Sequence, residues 1–360
     1  AEVIAANPDV IGIQEATIWF CKKNLWSKRT EVFNFTDQFL KATKAQGREY
    51  VVATKDGKRA LNTGFSIGAV PFLTMVNDPE SFQPLFGQDK AACGFEIADA
   101  LVIRADLVDK VLAVGNTEYE ASYSIVPTIM TIYRGYAWAD IQIGSTPVRF
   151  ITTHLESLWD ENKVPNAAKQ AQQLIADLKN TNNPIVIMGD FNSDPRDPRI
   201  SDDPNAGGQP IASAACPGGT SVCNAYLLMS EAGFKDVGPN ALDPINNTWG
   251  MNALLTGPDP DRLKYSQQMG NFAGYSDRLD YIFVRDGAQP IASQLIGALP
   301  PNNLNSDHAG VVSLISIDSD VTERSADLPE HAPFPISFWQ WIGIALAVLL
   351  IGIIVKKRFR

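Results

Sequence analysis

Pro184-Ile185-Val186-Ile187-Met188-Gly189-Asp190-Phe191-Asn192-Ser193 is the stretch on which the reading of this chain turns. Its first half is a short apolar run bounded by Asn-Pro before and Gly after, the pattern of a strand buried on both faces. Its second half sets Asp190 and Asn192 two residues apart, which places them on one side of the chain if the strand persists. Another string, Ser306-Asp307-His308, precedes a further buried-strand pattern, Ala309 to Ile315. An acid beside a histidine at a strand mouth suits proton transfer or metal binding.

Working outward, the same pattern recurs. Pro8 to Glu15 reads as an apolar strand ending in a carboxylate, and Val148 to Leu155 as one ending in Thr153-His154-Leu155. In Asp277 to Val284, Asp280 interrupts an otherwise apolar strand. An unpaired carboxylate in such a place is costly, so Asp280 needs a partner, and His308 is the natural one. Singly, each acid reads as a turn residue. Together and in this order they read as the walls of one polar site. Hard oxygen ligands such as Glu15 and Asp307 suit Mg²⁺ or Mn²⁺, and a His–Asp pair keeps an imidazole oriented and basic.

These motifs resemble those of the endonuclease/exonuclease/phosphatase superfamily, the DNase I-like and sphingomyelinase-like group, from about Pro8 to about Ile315 with a variable middle. The resemblance implies an α+β fold, a four-layer sandwich of two packed β-sheets flanked by helices, and a Mg²⁺-dependent hydrolase of phosphate esters. Carried over motif by motif, it implies Glu15 as principal metal ligand and Asp307 as the second metal-side carboxylate. It makes His308 the general base and Asp280 the acid that orients it. Asp190 and Asn192 position the attacking water and the phosphate. The Thr-His-Leu form assigns His154 to the leaving oxygen or the phosphate, with Asp99 on the strand Ile97 to Arg104 as its orienting acid. Arg134, just before the strand Tyr136 to Ile143, is a candidate substrate-binding charge; a solvated Arg at a turn is the competing reading. Family members begin with a strand carrying an Asn near the metal. Here Ala1 to Ala6 reads as the end of the helix that follows it, so the catalytic domain, 1–317, is expected to lack that strand.

Ile336 to Val355 is uncharged for 20 residues, which at about 1.5 Å per residue spans a bilayer's hydrocarbon layer. Phe338, Trp339 and Trp341 at one end and Lys356, Lys357, Arg358 and Arg360 at the other complete the pattern of a transmembrane helix with a cytoplasmic tail, 356–360. Residues 318–335, with acids, Ser and Pro, read as a stalk. The expected location is a single-pass cell-membrane protein with its catalytic domain outside, and the membrane is then a partner through that helix. The net charge of −10 argues against a broad basic face for gripping nucleic acid but permits a local positive site. An extracellular nuclease is the leading function. A phospholipid or sphingomyelin phosphodiesterase is the alternative, with residues 73–86 and their phenylalanines as a candidate membrane-contacting loop. An inactive module that binds phosphate-bearing ligands is the reading from another class.

Four cysteines in an exported domain permit disulfides. Cys216 and Cys223 bracket a flexible loop and form the favoured pair, leaving Cys21 and Cys93 as a further pair or as buried thiols. Val164 to Lys179 reads as an amphipathic helix joining the His154 strand to the Asp190 strand, with Pro165 near its start. Tyr226 to Ala232 is a second helix, stopped by Gly233. Residues 196–220 read as a surface insertion near the site.

Overall fold

A computed structural model of the chain describes residues 2–22, 28, 30–67, 75–77, 90–126, 130–161, 164–196, 223–250, 260–297 and 306–317. Two sheets dominate it. Among the described residues the first has seven strands built on the long strand Lys90–Arg104, which pairs antiparallel with Val10–Ile13 and Ile18–Lys22 among others. The second has six, in the order Val111–Glu118, Gly135–Ile143, Thr146–His154, Ile185–Asp190, Asp280–Arg285, Lys235–Asp236.

Period-two alternation assembles the layers. In the first sheet Leu101 and Ile103 turn inward to meet Ala139, Ile141, Val186 and Met188 of the second sheet in the inter-sheet core. Their neighbours Ala100 and Val102 turn outward, beneath Phe39 and Leu40 of the helix Phe35–Ala45. In the second sheet Ile185 and Ile187 likewise turn outward, beneath Ala171 and Leu174 of the helix Asn166–Asp177 and Met229 of the helix Ala225–Glu231. The result is helix, sheet, sheet, helices, the layer order expected. Each fully buried Val, Leu, Ile, Phe or Met side chain contributes about 1.5–3 kcal/mol to holding the layers together.

The helix Asn166–Asp177, with Pro165 at its N-cap, is the crossover that makes Thr146–His154 and Ile185–Asp190 parallel neighbours. Two glycines permit close approach. A Cβ on Gly12 would sit 2.9 Å from Thr152 Oγ1 of the facing sheet, and one on Gly189 only 2.2 Å from the Thr153 carbonyl oxygen. Gln14 Nε2 donates to Thr152 Oγ1 at 2.8 Å, tying the sheets together at the same end.

Cys21 and Cys93 are register partners on adjacent strands and form a disulfide. Cys223 is also disulfide-bonded, and Cys216, its expected partner, lies outside the described residues. Among the described residues Val10–Ile13 and Gly310–Ile317 each pair along one edge only, with Lys90–Arg104 and Ala288–Ile296 respectively. Both border one groove of roughly 710 Å³ that runs from the candidate site between the sheets, past Ile11, Phe150, Met188 and Ile315.

No described helix is long and apolar enough to cross a membrane. The span expected at 336–355, the stalk at 318–335 and the tail at 356–360 lie outside the described residues, as do residues 197–220 of the insertion and, apart from the strand Met75–Asn77, the loop at 73–86.

Candidate active site

Three side chains of the site stand in a row because their strands end together. His154 and Asp190 are opposite each other at the end of the parallel ladder, and Asp190 and Asp280 at the end of the next, antiparallel one. Asp280 therefore opens its strand, where it reaches partners beyond the sheet, instead of interrupting an apolar run. His308 arrives from the loop before Gly310–Ile317: its Nδ1 is 2.9 Å from Asp280 Oδ2 and its Nε2 is 3.9 Å from Asp190 Oδ2. The partnership expected between Asp280 and His308 is present.

Asn192 joins this row by a different route from the one its spacing implies. The strand stops at Asp190, and Asn192 takes a left-handed backbone with φ 46°. Its backbone N–H donates to Asp190 Oδ1 at 2.8 Å and its side-chain amide to the Leu155 carbonyl at 2.7 Å. A hydrogen-bonded turn, not strand periodicity, keeps the two together. Glu15 comes from the other sheet, exposed at the mouth of Val10–Ile13 with φ 52°. Glu15 and Asp307 line the same groove as Asp190, Asp280 and His308.

The electrostatics follow from packing many acids into a small space. Burial, with Asp280 and Glu15 nearby, pushes the Asp190 carboxyl up to about 7 against the opposing pull of His308. Burial disfavours a charged His308, but Asp280, by charge and hydrogen bond, with Asp190 and Asp307, outweighs it and raises the ring to about 10. Oxygens of Asp190 and Asp280 and a ring nitrogen of His308 lie within 4.8 Å of one another. The carboxylates of Asp190 and Asp280, the first held above its usual range by burial and then by the charges of Asp280 and Glu15, are hard oxygen ligands that fit a divalent cation such as Mg²⁺ or Mn²⁺. Glu15 and Asp307 would complete its oxygen shell from the groove wall.

His154 is almost fully buried, and it is not oriented by Asp99. Its Nδ1 lies 2.9 Å from Arg134 Nη1 and its Nε2 is 3.4 Å from Asp190 Oδ2. Burial, with the positive charges of Arg134 and His308, pushes its pKa well below the ordinary value, so the ring is neutral at physiological pH. That favours a hydrogen bond to phosphate over proton donation from an imidazolium. Asp99 is buried beside Asn62, its Oδ1 without a hydrogen-bond partner among the described residues, and burial raises its carboxyl to about 7 although Arg134 opposes the shift. Arg134 is likewise drawn into the site, where its guanidinium is engaged by His154 and by Glu156 Oε2 at 3.3 Å.

Two positioning elements have no counterpart in the sequence reading. Thr248 Oγ1 accepts the backbone N–H groups of Leu279 and Asp280, at 3.0 and 3.1 Å, while its carbonyl takes the N–H of Ala309 at 2.7 Å. Trp249 pairs by backbone bridges with both Asp277 and His308. The segment staples the Asp280 and His308 loops together. Arg278, wholly buried, donates through Nε to the carbonyl of Asp280 at 2.9 Å.

The family model described as Endonuclease/Exonuclease/phosphatase family matches residues 119–308, more than half of the chain and every site residue of the second sheet. The chain belongs to this family. Its members are phosphoesterase hydrolases, and this chain is one by the same membership. Among solved structures it is similar to an endonuclease/exonuclease/phosphatase family protein from Leptotrichia buccalis C-1013-b, at 15% identity and TM-score 0.49, with 88% of this chain and 90% of that one covered. It is also similar to the mannosyl-6-phosphatase of Bacteroides thetaiotaomicron VPI-5482, at 14% identity and TM-score 0.41, with 88% of each chain covered. A third likeness is to D. rerio TDP2 complexed with single strand DNA product, at 18% identity and TM-score 0.42, again with 88% of each chain covered. No curated protein matches the chain.

Proposed function

We propose that the chain is a divalent-cation-dependent phosphodiesterase, with a nucleic acid as its substrate. The observation that supports this reading is the placing of two histidines in opposite protonation states on either side of Asp190, the neutral His154 at 3.4 Å and the proton-binding His308 at 3.9 Å. A neutral Nε2–H is a directed donor to a non-bridging phosphate oxygen. His308, backed by Asp280, binds and releases a proton at its Nε2, the atom that faces the groove. Asp190 lies between the two rings and, with Asn192 bonded to it, would orient water and phosphate. A cation held by Asp190, Asp280, Glu15 and Asp307 would neutralise the phosphate and the surrounding carboxylates.

The stretch 336–355 would tether this activity to a membrane with the site outside, a reading that rests on its uncharged length and the basic residues after it. Hydrolysis of bis-p-nitrophenyl phosphate, plasmid DNA and sphingomyelin, each with Mg²⁺ and with EDTA, tests the proposal. Chelator-sensitive DNA cleavage is the expected result. Preference for sphingomyelin would move the substrate to lipid, and turnover unaffected by EDTA would overturn the cation requirement.

A further inference from the structure

We propose that Arg134, clamped by Glu156, is a positioning residue that locks His154 as a neutral ring with its proton on Nε2. The inference deepens the phosphodiesterase reading and rests on it for its catalytic consequence. The geometry is a chain of buried polar groups. Leu158 donates its backbone N–H to Glu156 Oε1 at 3.1 Å, Arg134 Nε reaches Glu156 Oε2 at 3.3 Å, and Arg134 Nη1 lies 2.9 Å from His154 Nδ1. The side chains of Glu156, His154 and Arg134 are 1%, 3% and 11% exposed. The backbone of Arg134 is held too, its carbonyl accepting the Tyr119 N–H at 2.8 Å.

The chemistry of a guanidinium decides the rest. It carries only donors and does not lose its proton in a protein, so the nitrogen facing it must offer a lone pair. His154 Nδ1 is therefore the acceptor, and the single ring proton sits on Nε2, the atom facing Asp190. The other tautomer would set two donors against each other at Arg134 and a lone pair against the carboxylate of Asp190. The buried carboxylate of Glu156 balances the guanidinium, so the lock introduces no unpaired buried charge. His308 shows the contrast: its Nδ1 meets the carboxylate of Asp280, which demands a proton there. One site thus sets two histidines by opposite partners.

The experiment is two-bond ¹H–¹⁵N spectroscopy of the imidazole rings in the wild type and in Arg134→Met and Arg134→Lys, beside kcat and KM on bis-p-nitrophenyl phosphate with Mg²⁺. With three histidines in the chain, assignment is direct. The wild type should show His154 as the pure Nε2–H form. Arg134→Met should give mixed tautomers at His154, unchanged His308 signals reporting an intact site, and a loss of about 100-fold in kcat with little change in KM. Arg134→Lys should restore part of both. An Nδ1–H ring in the wild type, or an unchanged His154 spectrum and kcat in Arg134→Met, would overturn the inference. A locked His154 in a wild type that hydrolyses no phosphodiester would support the lock and refute the functional reading instead.

Discussion

His308 points one ring nitrogen at Asp280, 2.9 Å away, and is thereby left with its other nitrogen facing the groove and Asp190. A histidine so held is a proton carrier of fixed aim. Replacing it with alanine removes the carrier without touching the core, so His308→Ala should lose roughly 10³–10⁴ in kcat on bis-p-nitrophenyl phosphate and melt within a few degrees of the wild type. Retained turnover would remove His308 from the mechanism.

Asp190 is strained by its neighbours, and its removal should trade activity for stability. Asp190→Asn keeps an acceptor for the Asn192 N–H but deletes a buried charge set against Asp280 and Glu15. At pH 8 in EDTA the variant should melt higher than the wild type, bind Mn²⁺ more weakly by calorimetry and turn over at least about 100-fold more slowly. A lower melting temperature would show that the carboxylate stabilises the fold.

The pH dependence of stability carries a signature of Asp99. An ordinary Asp ionises near 3.8, whereas burial holds this one to about 7. Between those values the folded chain keeps a proton that the unfolded chain has released, so this group's contribution to stability is present below about pH 4 and is lost as pH rises through 7. In EDTA, Asp99→Asn should match the wild type near pH 4 and exceed it by several degrees at pH 8. An offset independent of pH would contradict this assignment.

The disulfide between Cys21 and Cys93 closes a loop of sequence separation 72. By loop entropy it stabilises the first sheet by about 4 kcal/mol. Changing both cysteines to serine should lower the denaturant midpoint accordingly and leave the chelator sensitivity of hydrolysis unchanged. A midpoint unaffected by the change would mean that the unfolded chain is already constrained there.

Gly189→Ala should be severe although it adds one methyl group. Its Cβ would lie 2.2 Å from a backbone oxygen in the adjoining strand, which cannot swing aside. A loss of more than about 2 kcal/mol by denaturation, with activity falling in parallel, is expected. A well-folded, active variant would show that the two strands can separate locally.

What the sequence revealed was whatever depends on one strand at a time. The apolar runs ending in Glu15, His154 and Asp190 announced both the strands and the polar residues at their ends, whereas Asp280, read as interrupting its run, opens it. The amphipathic stretch after Val164 announced the crossover between two of them. Contacts between distant strands were illegible. Nothing local pairs Cys21 with Cys93 or sets Arg134 against His154, because both depend on which strands lie side by side. Asp99 was assigned to the wrong neighbour for the same reason. Asn192 misled differently: period-two reasoning presumes a strand that here has already stopped. Thr248 and Trp249 lie in an irregular segment whose work is done by backbone groups and one hydroxyl, and such a segment has no periodicity to read.

The alignment of His154, Asp190 and Asp280 across three strand mouths makes the site a property of ladder register. Sliding any of those strands by one residue would turn its functional side chain to the opposite face of the sheet, so a molecule misaligned there is inert, not merely impaired. Length variation can accumulate in connecting loops that carry no site residue, whereas one inserted residue within Thr146–His154 or Ile185–Asp190 would abolish function while sparing much of the packing. Proofreading of strand alignment during folding is, for this enzyme, proofreading of its chemistry.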